Sequence, residues 1–511
     1  MSTIRAPLNH SLIPELQSIE VSTSLQLPSI QIVGLPSQEV TEARERVRAA
    51  FSASGFEFPK KRVIVNLSPA SVRKRGTGLD LPMALGILDA SSENRSQEVV
   101  AWGELGLDGR LHPAGQELRA VHAAWSRGIG RVILPKSALT SEKREKLLAL
   151  HRSQAFTHPF PVIQLAHNLP SAWDALHSQK QGVLDWPRKV SEIPPPQSAT
   201  ESPLLRLDPW LERVIGVSSS GAHHLILLGS RGSGKSTALE WLLHLTETPS
   251  PEVQAMQLLM EDLSLGPSTQ DRVLRAPLRR VSSQVKPSAL VGSVSAVGIR
   301  PGEFALAHGG ILHADEFPEW SRDSREVLRE PLETGWVNLT RTQGSLQFPA
   351  RFQLAATGNL CPCGGWDGSQ ESLRGECRCT PQQRKNYVER LSGPVLDRID
   401  LVARVPAPHR RSFETPQSEL LSLSERVIQT RNDLRAHWSE LPGRISAQTL
   451  ETILEQRPTL KREIDILGRQ SYRDRHKILR LALTLAAWDG HPEPLAQHIL
   501  EARAYRDFPL A

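Results

Sequence analysis

A glycine-rich segment between an apolar run and a helical pattern carries the strongest chemical signal in the sequence. Residues 225–237 read LILLGSRGSGKST, and within them Gly229 to Ser236 match G-x-x-x-x-G-K-S. In this pattern backbone N–H groups point at a triphosphate, the lysine reaches the β- and γ-phosphates, and the serine binds magnesium. The sequence therefore predicts an ATP and magnesium site, with the loop residues Gly229, Ser230, Arg231, Gly232, Ser233, Gly234, Lys235, Ser236 and Thr237.

A second nucleotide motif is expected at residues 311–316, ILHADE. The apolar run predicts a strand that ends at two acids. Asp315 would bind magnesium directly or through water, and Glu316 would act as the general base for the attacking water. Taken alone, the segment has an ordinary alternative, in which the acids only cap a following helix.

Length and composition limit the class of protein. A chain of 511 residues is too long for one ordinary core. No apolar stretch reaches the roughly 18 residues of a membrane span, and the start MSTIRAPLNH lacks the segments of a signal peptide. We therefore expect a cytoplasmic protein with no membrane partner. The net charge of +6 permits an acidic partner without requiring one.

Composition also predicts the domain organisation. Residues 1–178 carry the strand and helix patterns of a compact α/β domain, including a hairpin that turns at Asp108-Gly109. Residues 179–203 are rich in proline and polar residues, which is typical of a linker. Residues 204–405 hold both nucleotide motifs, and residues 406–511 are dominated by helical patterns.

The four cysteines predict a metal site in an insertion at 361–379. Cys361 and Cys363 form one close pair, and Cys377 and Cys379 form another. Four soft ligands in two pairs suit tetrahedral zinc, which would hold an otherwise irregular loop. Since C-x-C spacing is less diagnostic than C-x-x-C, free thiols remain the alternative, whereas a reducing cytoplasm disfavours two disulfides.

Most of the chain resembles the ComM competence helicases, also called YifB-type magnesium-chelatase-related proteins. The motifs that carry the resemblance are IVGLP, EARERVRAAF, SGFEFP, VNLSPA, DLPMALGIL and GELGLDG in residues 1–178, and RLSGPVLDRIDL at 390–401. The resemblance implies an α/β fold with three parts: a Lon-protease-like (S5-like) amino-terminal domain, an AAA+ P-loop ATPase core of the helix-2-insert clade, and a helical carboxy-terminal lid.

The Lon-type peptidase reaction is not expected in the amino-terminal domain. That reaction needs a serine and lysine pair. No serine occupies the nucleophile's place at the corresponding turn, where the sequence has Lys74, Gly76, Gly78, Asp80 and Leu81. We expect a scaffold or a guide for the substrate.

The resemblance also implies further catalytic residues. Asn359, after the strand-like LAATG, corresponds to sensor 1, which hydrogen-bonds the γ-phosphate or the lytic water. Arg398 in LDRID corresponds to an arginine finger that points into a neighbouring subunit's nucleotide. Arg473 is placed like the second sensor arginine, with Arg475 and Arg480 as rivals. A finger that acts on a neighbour requires a ring or at least a dimer, and the family implies a homo-hexamer.

Two segments resemble the elements that face the central pore in the helix-2-insert clade. The stretch from Arg272 to Arg300 holds six basic residues and no acidic one, and we expect it to project as an irregular loop. The runs WVNLT and SLQFP flank a turn near Thr342-Gln343-Gly344. The candidate DNA phosphate contacts are Arg279, Arg280, Lys286 and Arg341. A solvated basic loop or a subunit interface is the alternative.

As a function, the resemblance implies ATP-driven movement on single-stranded or branched DNA, with branch migration that helps to integrate donor DNA in natural transformation. The residues themselves argue only for ATP hydrolysis coupled to an anionic partner. A magnesium-chelatase or MoxR-type motor that remodels a protein or inserts a metal is the main alternative, because one ATPase fold serves both tasks. A degenerate ATPase that acts as a nucleotide-dependent scaffold is the third.

Overall fold

The computed structural model describes residues 4–8, 14–72, 74, 76–92, 96–178, 184, 206–263, 276–295, 298–341, 344–366, 377–391, 393–405, 417–466 and 472–506. Contacts divide the chain into two compact units. The first unit comprises Met1–Ser198, Ser250–Leu274 and Thr340–Gln347, and the second comprises Ala199–Pro249, Arg275–Leu339 and Phe348–Ala511. Apart from Leu184, the predicted linker lies outside the described residues, as do the predicted turn at 342–343 and residues 406–416.

The described residues between 4 and 178 form nine strands and five α-helices. The strands are β1 (Ile4–Leu8), β2 (Glu15–Ser24), β3 (Ser29–Val33), β4 (Arg62–Ser68), β5 (Val99–Ala101), β6 (Glu104–Leu105), β7 (Leu111–His112), β8 (Arg131–Pro135) and β9 (Val162–Ala166). The helices are α1 (Gln38–Ala53), α2 (Asp80–Ser91), α3 (Glu117–Ser126), α4 (Ser141–Ser153) and α5 (Leu169–His177).

The described residues from 206 onwards form a further nine strands and fourteen α-helices. The strands are β10 (Leu225–Gly229), β11 (Leu278–Val281), β12 (Gly292–Ser295), β13 (Gly298–Pro301), β14 (Ile311–Ala314), β15 (Trp336–Arg341), β16 (Gly344–Pro349), β17 (Gln353–Gly358) and β18 (Leu401–Val405). The helices are α6 (Pro209–Gly221), α7 (Lys235–His244), α8 (Pro251–Leu263), α9 (Pro287–Val291), α10 (Glu303–Leu306), α11 (Arg322–Glu326), α12 (Arg329–Thr334), α13 (Pro381–Val388), α14 (Gly393–Leu396), α15 (Gln417–Trp438), α16 (Ala447–Gln456), α17 (Pro458–Ile466), α18 (Tyr472–Trp488) and α19 (Ala496–Ala504).

The first unit is built on a mixed seven-stranded sheet in the order β3-β4-β2-β1-β5-β8-β9. Helix α1 packs on it because Val40, Ala43, Val47 and Ala50 recur at helical spacing and are all buried. The hairpin predicted at Asp108-Gly109 is confirmed, since β6 and β7 pair antiparallel on either side of it.

Helix α8 is the unexpected member of the first unit. It lies beyond the phosphate loop in sequence, within the region predicted as the ATPase core. Its apolar residues Ala255, Leu258 and Leu259 nevertheless belong to the same hydrophobic core as the seven-stranded sheet. Asp262 near its end is buried, and this burial raises the pKa of its carboxyl despite the nearby Lys146.

The second unit is built on a five-stranded sheet in the order β11-β14-β17-β10-β18. All four strand pairings are parallel. Because parallel strands share one direction, the loops after β10, β14 and β17 meet at one edge, the carboxyl edge, and the segments before the strands meet at the opposite, amino edge. The strands predicted at 225–228, 311–314 and 354–358 are thereby confirmed.

The region from residue 417 onwards is helical as predicted, with α15 to α19. Helices α15 and α18 pack on α6 and share a core with β10 and β18. Among the described residues, no helix combines the length and the apolar character that crossing a membrane requires.

Candidate active site

The phosphate loop occupies the carboxyl edge directly after β10. Gly234 has a φ of 92° where the loop enters α7, a backbone conformation that favours glycine. A side chain at Gly229 would lie 2.5 Å from the carbonyl oxygen of Val405, so the strand end also requires glycine. Ser236 and Thr237 fall in the first turn of α7, where N–H groups favour an anion.

The ammonium group of Lys235 rests on the loop itself. It donates to the carbonyl oxygens of Gly229 at 3.1 Å and Ser230 at 2.7 Å, and to Oγ of Ser233 at 3.4 Å. Burial lowers the pKa of Lys235 to about 8, although Asp315 opposes the shift. The loop thus holds its lysine where a triphosphate would replace the carbonyl oxygens.

Asp315 follows β14 at the same edge and is held through one oxygen. Its Oδ1 accepts from the Thr357 hydroxyl at 2.8 Å and from the Glu316 N–H at 2.9 Å. The buried ring of His313 lies 3.1 Å from the same hydroxyl. An oriented carboxylate beside a phosphate loop has the oxygen ligand type that magnesium prefers, so Asp315 and Ser236 fit a magnesium site.

Glu316 sits in a backbone conformation that is unusual for a residue with a side chain. Its φ is 48°, in the left-handed region, where a non-glycine residue is strained. Its Oε2 accepts a hydrogen bond from Ser283 Oγ at 2.9 Å. Ser283 lies just after β11, so the neighbouring strand fixes the direction of this carboxylate.

Asn359 comes directly after β17, which lies between β10 and β14. Its position in the sheet therefore puts it between the phosphate loop and Asp315, as sensor 1 requires. Its assignment as sensor 1 stays a prediction.

The four cysteines come together next to this edge. Their sulfur atoms all lie within 4.8 Å of one another, although residues 367–376 between the two pairs lie outside the described part of the chain. Sulfur–sulfur distances are 3.4 Å for Cys361–Cys363 and 3.7 Å for both Cys363–Cys377 and Cys361–Cys377. A zinc ion with bonds of about 2.3 Å needs tetrahedral edges of about 3.8 Å, so the four thiols fit zinc.

The cysteine loop also contacts the phosphate loop. The Arg231 N–H donates to the carbonyl oxygen of Gly364 at 2.9 Å, and the Gly364 N–H donates to the carbonyl oxygen of Cys361. The residues from Cys361 to Gly364, which begin the cysteine loop (residues 361–379), therefore contact the phosphate loop directly.

Arg398 and Arg473 meet on one carboxylate at the amino edge of the sheet. Nη2 of Arg398 lies 2.5 Å from Oε2 of Glu333, and Nη2 of Arg473 lies 3.2 Å from Oε1. Arg398 precedes β18, whose first residue Leu401 pairs with Leu225 at the start of β10. One strand length of about 15 Å therefore separates this pair from the phosphate loop of the same subunit. The rival Arg475 pairs instead with Asp465 at 3.0 Å.

The predicted DNA contacts lie in more regular structure than expected. The expectation of an irregular loop from Arg272 to Arg300 is wrong for its described part, because Arg279 and Arg280 belong to β11, an edge strand of the central sheet. Arg279 forms a two-bond ion pair with Glu303, at 2.6 and 2.9 Å. Lys286 is exposed ahead of α9. Arg341 ends β15, and its side chain lies outside the described part of the chain. DNA contact by these four residues stays a prediction.

The turn around Lys74 and Asp80 is held by internal contacts. The Lys74 ammonium is buried and donates to the Pro69 carbonyl oxygen, and burial lowers its pKa. Burial also raises the pKa of Asp80 to about 6, although Arg46 forms two hydrogen bonds to its carboxylate. These contacts give the turn a structural role.

The sequence does not identify three residues that orient groups of the site: Thr357, Ser283 and Glu333. Each acts through a partner more than thirty residues away in sequence. A hydroxyl two residues before the sensor position is the one local signal, and it points to Thr357 alone.

Family models built from known proteins match parts of both units of this chain. Residues 209–413 match the family described as magnesium chelatase, subunit ChlI, and residues 19–138 match the family described as subunit ChlI of Mg-chelatase. The uncharacterised protein YifB of Escherichia coli strain K12 is 31% identical, over 96% of this chain and 94% of its own length. The competence protein ComM of Haemophilus influenzae is also 31% identical, with the same coverage. The chloroplastic magnesium-chelatase subunit ChlI-2 of Arabidopsis thaliana is 27% identical, over 42% of this chain and 54% of its own length.

The lowered pKa of Lys235 predicts that nucleotide affinity depends on pH. A bound triphosphate favours the charged amine, so binding should take up a proton wherever the free lysine is partly neutral. We expect ATP affinity to fall roughly three- to tenfold between pH about 7.5 and about 9. Calorimetry in two buffers of different ionisation enthalpy would count the protons. Lys235→Arg, whose guanidinium stays charged, is the control, and wild-type binding without proton uptake above pH about 8 would contradict the prediction.

Proposed function

This chain belongs to the family that contains YifB and ComM, and on that premise we propose that it is an ATP-hydrolysing AAA+ motor that moves on single-stranded or branched DNA in the cytoplasm. As in the ComM helicases that it resembles, the motor would promote branch migration and the integration of donor DNA in natural transformation. ATP and magnesium are its cofactors in this proposal.

The observation that carries the hydrolase part is the meeting of three motifs at one carboxyl edge. The phosphate loop with Lys235 would hold the triphosphate, and Asp315 with Ser236 would bind magnesium. Glu316, fixed by Ser283, would take the proton of the attacking water. Asn359 would bind the γ-phosphate or that water from between them.

The position of the two arginines supports a ring. Arg398 is about one strand length from its own phosphate loop, and Arg473 shares its carboxylate partner. We infer that both act on the nucleotide of a neighbouring copy, where they would neutralise the charge that develops during phosphoryl transfer. A homo-hexamer, with residues 406–511 as the helical lid, meets this requirement.

Contact with DNA is supported by the likeness to ComM and by exposed basic residues. Arg280 and Lys286 are exposed in the second unit. Arg279 forms an ion pair with Glu303. Together with Arg341 they would grip phosphates without reading sequence, which suits translocation. The first unit, with its Lon-like turn held by internal contacts, would act as a scaffold or a guide for DNA.

A magnesium-chelatase-type motor is the second candidate, favoured by the two ChlI family matches over both units. In that case the same ATPase would remodel a protein or metal-insertion partner. The two candidates differ in whether DNA stimulates turnover.

Replacement of Glu316 tests the general base. Glu316→Gln should bind ATP but hydrolyse it at least about a hundredfold more slowly, because the amide cannot accept the proton of the water. Steady-state turnover and binding of a fluorescent ATP analogue are the measurements. Glu319→Gln is the matched control, since that nearby carboxylate pairs with Arg390 at 2.7 Å, outside the site. Equal turnover in the two variants would remove Glu316 as the base.

DNA-dependent turnover tests the motor proposal. We expect single-stranded and forked DNA to stimulate ATP hydrolysis, and stimulation to weaken as salt rises, because phosphate contacts release counterions. Lys286→Ala should lower the salt slope by about one, whereas the exposed Lys461→Ala should not. Lys235→Ala supplies the blank. Turnover that ignores DNA would favour the chelatase-type candidate.

Metal analysis tests the cysteine site. Protein purified without added zinc should carry about one zinc per chain, since four thiolates close one tetrahedral site. Cys363→Ser should lose the metal and lower the thermal midpoint. Four freely titratable thiols with no bound metal would argue for free cysteines instead.

A further inference from the structure

We propose that Glu333 is a positioning residue for the arginine finger: its carboxylate holds Arg398 and Arg473 in the resting subunit and is displaced by the phosphates of a neighbouring copy's nucleotide. The inference rests on the proposed function, in which these arginines act on a neighbour. In this inference, Glu333 restrains ATP hydrolysis until the phosphates of a neighbouring copy's nucleotide displace its carboxylate.

The first observation is that the Glu333 carboxylate forms ion pairs with two arginines. Glu333 lies in the last turn of α12, while Arg398 precedes β18 and Arg473 belongs to α18. Each oxygen of the carboxylate meets one guanidinium, so a single anion joins two cations from separate elements. The hydrogen bond from Arg398, despite partial burial, lowers the pKa of Glu333, so the group is charged at neutral pH.

The second observation is that the Glu333 side chain is exposed. Its side chain is 51% exposed, whereas that of Arg398 is 13% exposed. The Arg398 side chain is therefore packed within the protein, and the carboxylate is the more accessible partner. Because the Glu333 carboxylate is half exposed, water screens its ion pairs with the two arginines, so a phosphate with more charge and more acceptor oxygens can replace it.

The third observation is the cavity around the cluster, with a volume of about 610 Å³. Five arginines line it: Arg351, Arg398, Arg444, Arg473 and Arg480. Three carboxylates oppose them: Glu333, Asp397 and Glu440. A concave surface with this surplus of guanidinium groups attracts a polyphosphate, and Glu333 is the anion that meets both Arg398 and Arg473 there.

The test compares Glu333→Gln with Glu330→Gln. Both residues lie in α12, but Glu330 contacts Asn338 and neither of the two arginines. Without DNA, Glu333→Gln should raise ATP turnover per subunit roughly two- to fivefold, the range that corresponds to a weak exposed ion pair. Glu330→Gln should leave turnover unchanged. Melting curves of both variants would show that the fold is kept.

A double variant tests whether the gain passes through the finger. In Glu333→Gln combined with Arg398→Ala, turnover should fall to that of Arg398→Ala alone, because no finger remains to be released. A gain that persists without Arg398 would overturn the inference, as would a turnover of Glu333→Gln no higher than that of Glu330→Gln. If Arg398→Ala alone leaves turnover unchanged, the finger itself fails, and the inference falls with it.

Discussion

A buried carboxylate, that of Asp400, holds the amino edge of the central sheet together. It is fully buried and lies 2.7 Å from the Lys477 ammonium of α18. It also accepts the backbone N–H of His224, which leads into β10. Burial alone would raise the pKa of Asp400, but Lys477 and the neighbouring histidines hold it well below its usual range. Removing one partner of such a pair typically costs about 3–5 kcal/mol, because a buried charge is left uncompensated.

The same pair links the turn that carries Arg398 to the helical region. The Lys477 ammonium donates to the backbone carbonyl oxygen of Arg398 at 2.9 Å, so α18 fixes the turn that carries the proposed finger. Arg473 lies one turn earlier on that helix. A shift of α18 would therefore move both arginines together, whereas the phosphate loop at the opposite edge is held by β10 and α7. In the proposed mechanism, nucleotide binding and the supply of positive charge to a neighbouring copy therefore belong to two opposite edges of one sheet.

The sequence predicts the carboxyl edge well, because its signals are local. Glycines, Lys235 and the acids after β14 each follow a strand within a few residues, and parallel pairing brings strand ends together. Glu333, Ser283 and Gly364 have no such signal, because what they contact is set by tertiary packing. The sequence does not predict where helix α8 packs, because an apolar helical face does not identify the core that it joins. It predicts a loop at the edge strand β11, because two arginines separate the apolar residues Leu278 and Val281.

Two groups of the phosphate loop make hydrogen bonds within the protein, and a bound triphosphate would compete with them. Lys235 donates to loop oxygens, and the Arg231 N–H donates to Gly364 of the cysteine loop. A triphosphate would take over the bonds that Lys235 donates, so the number of hydrogen bonds made by this lysine would change little on binding. What changes is charge, because neutral carbonyl oxygens give way to phosphate oxygens, and charge-assisted bonds are roughly twice as strong. Affinity at this edge therefore depends on the charge of Lys235 and on how firmly the cysteine loop keeps Gly364 in place.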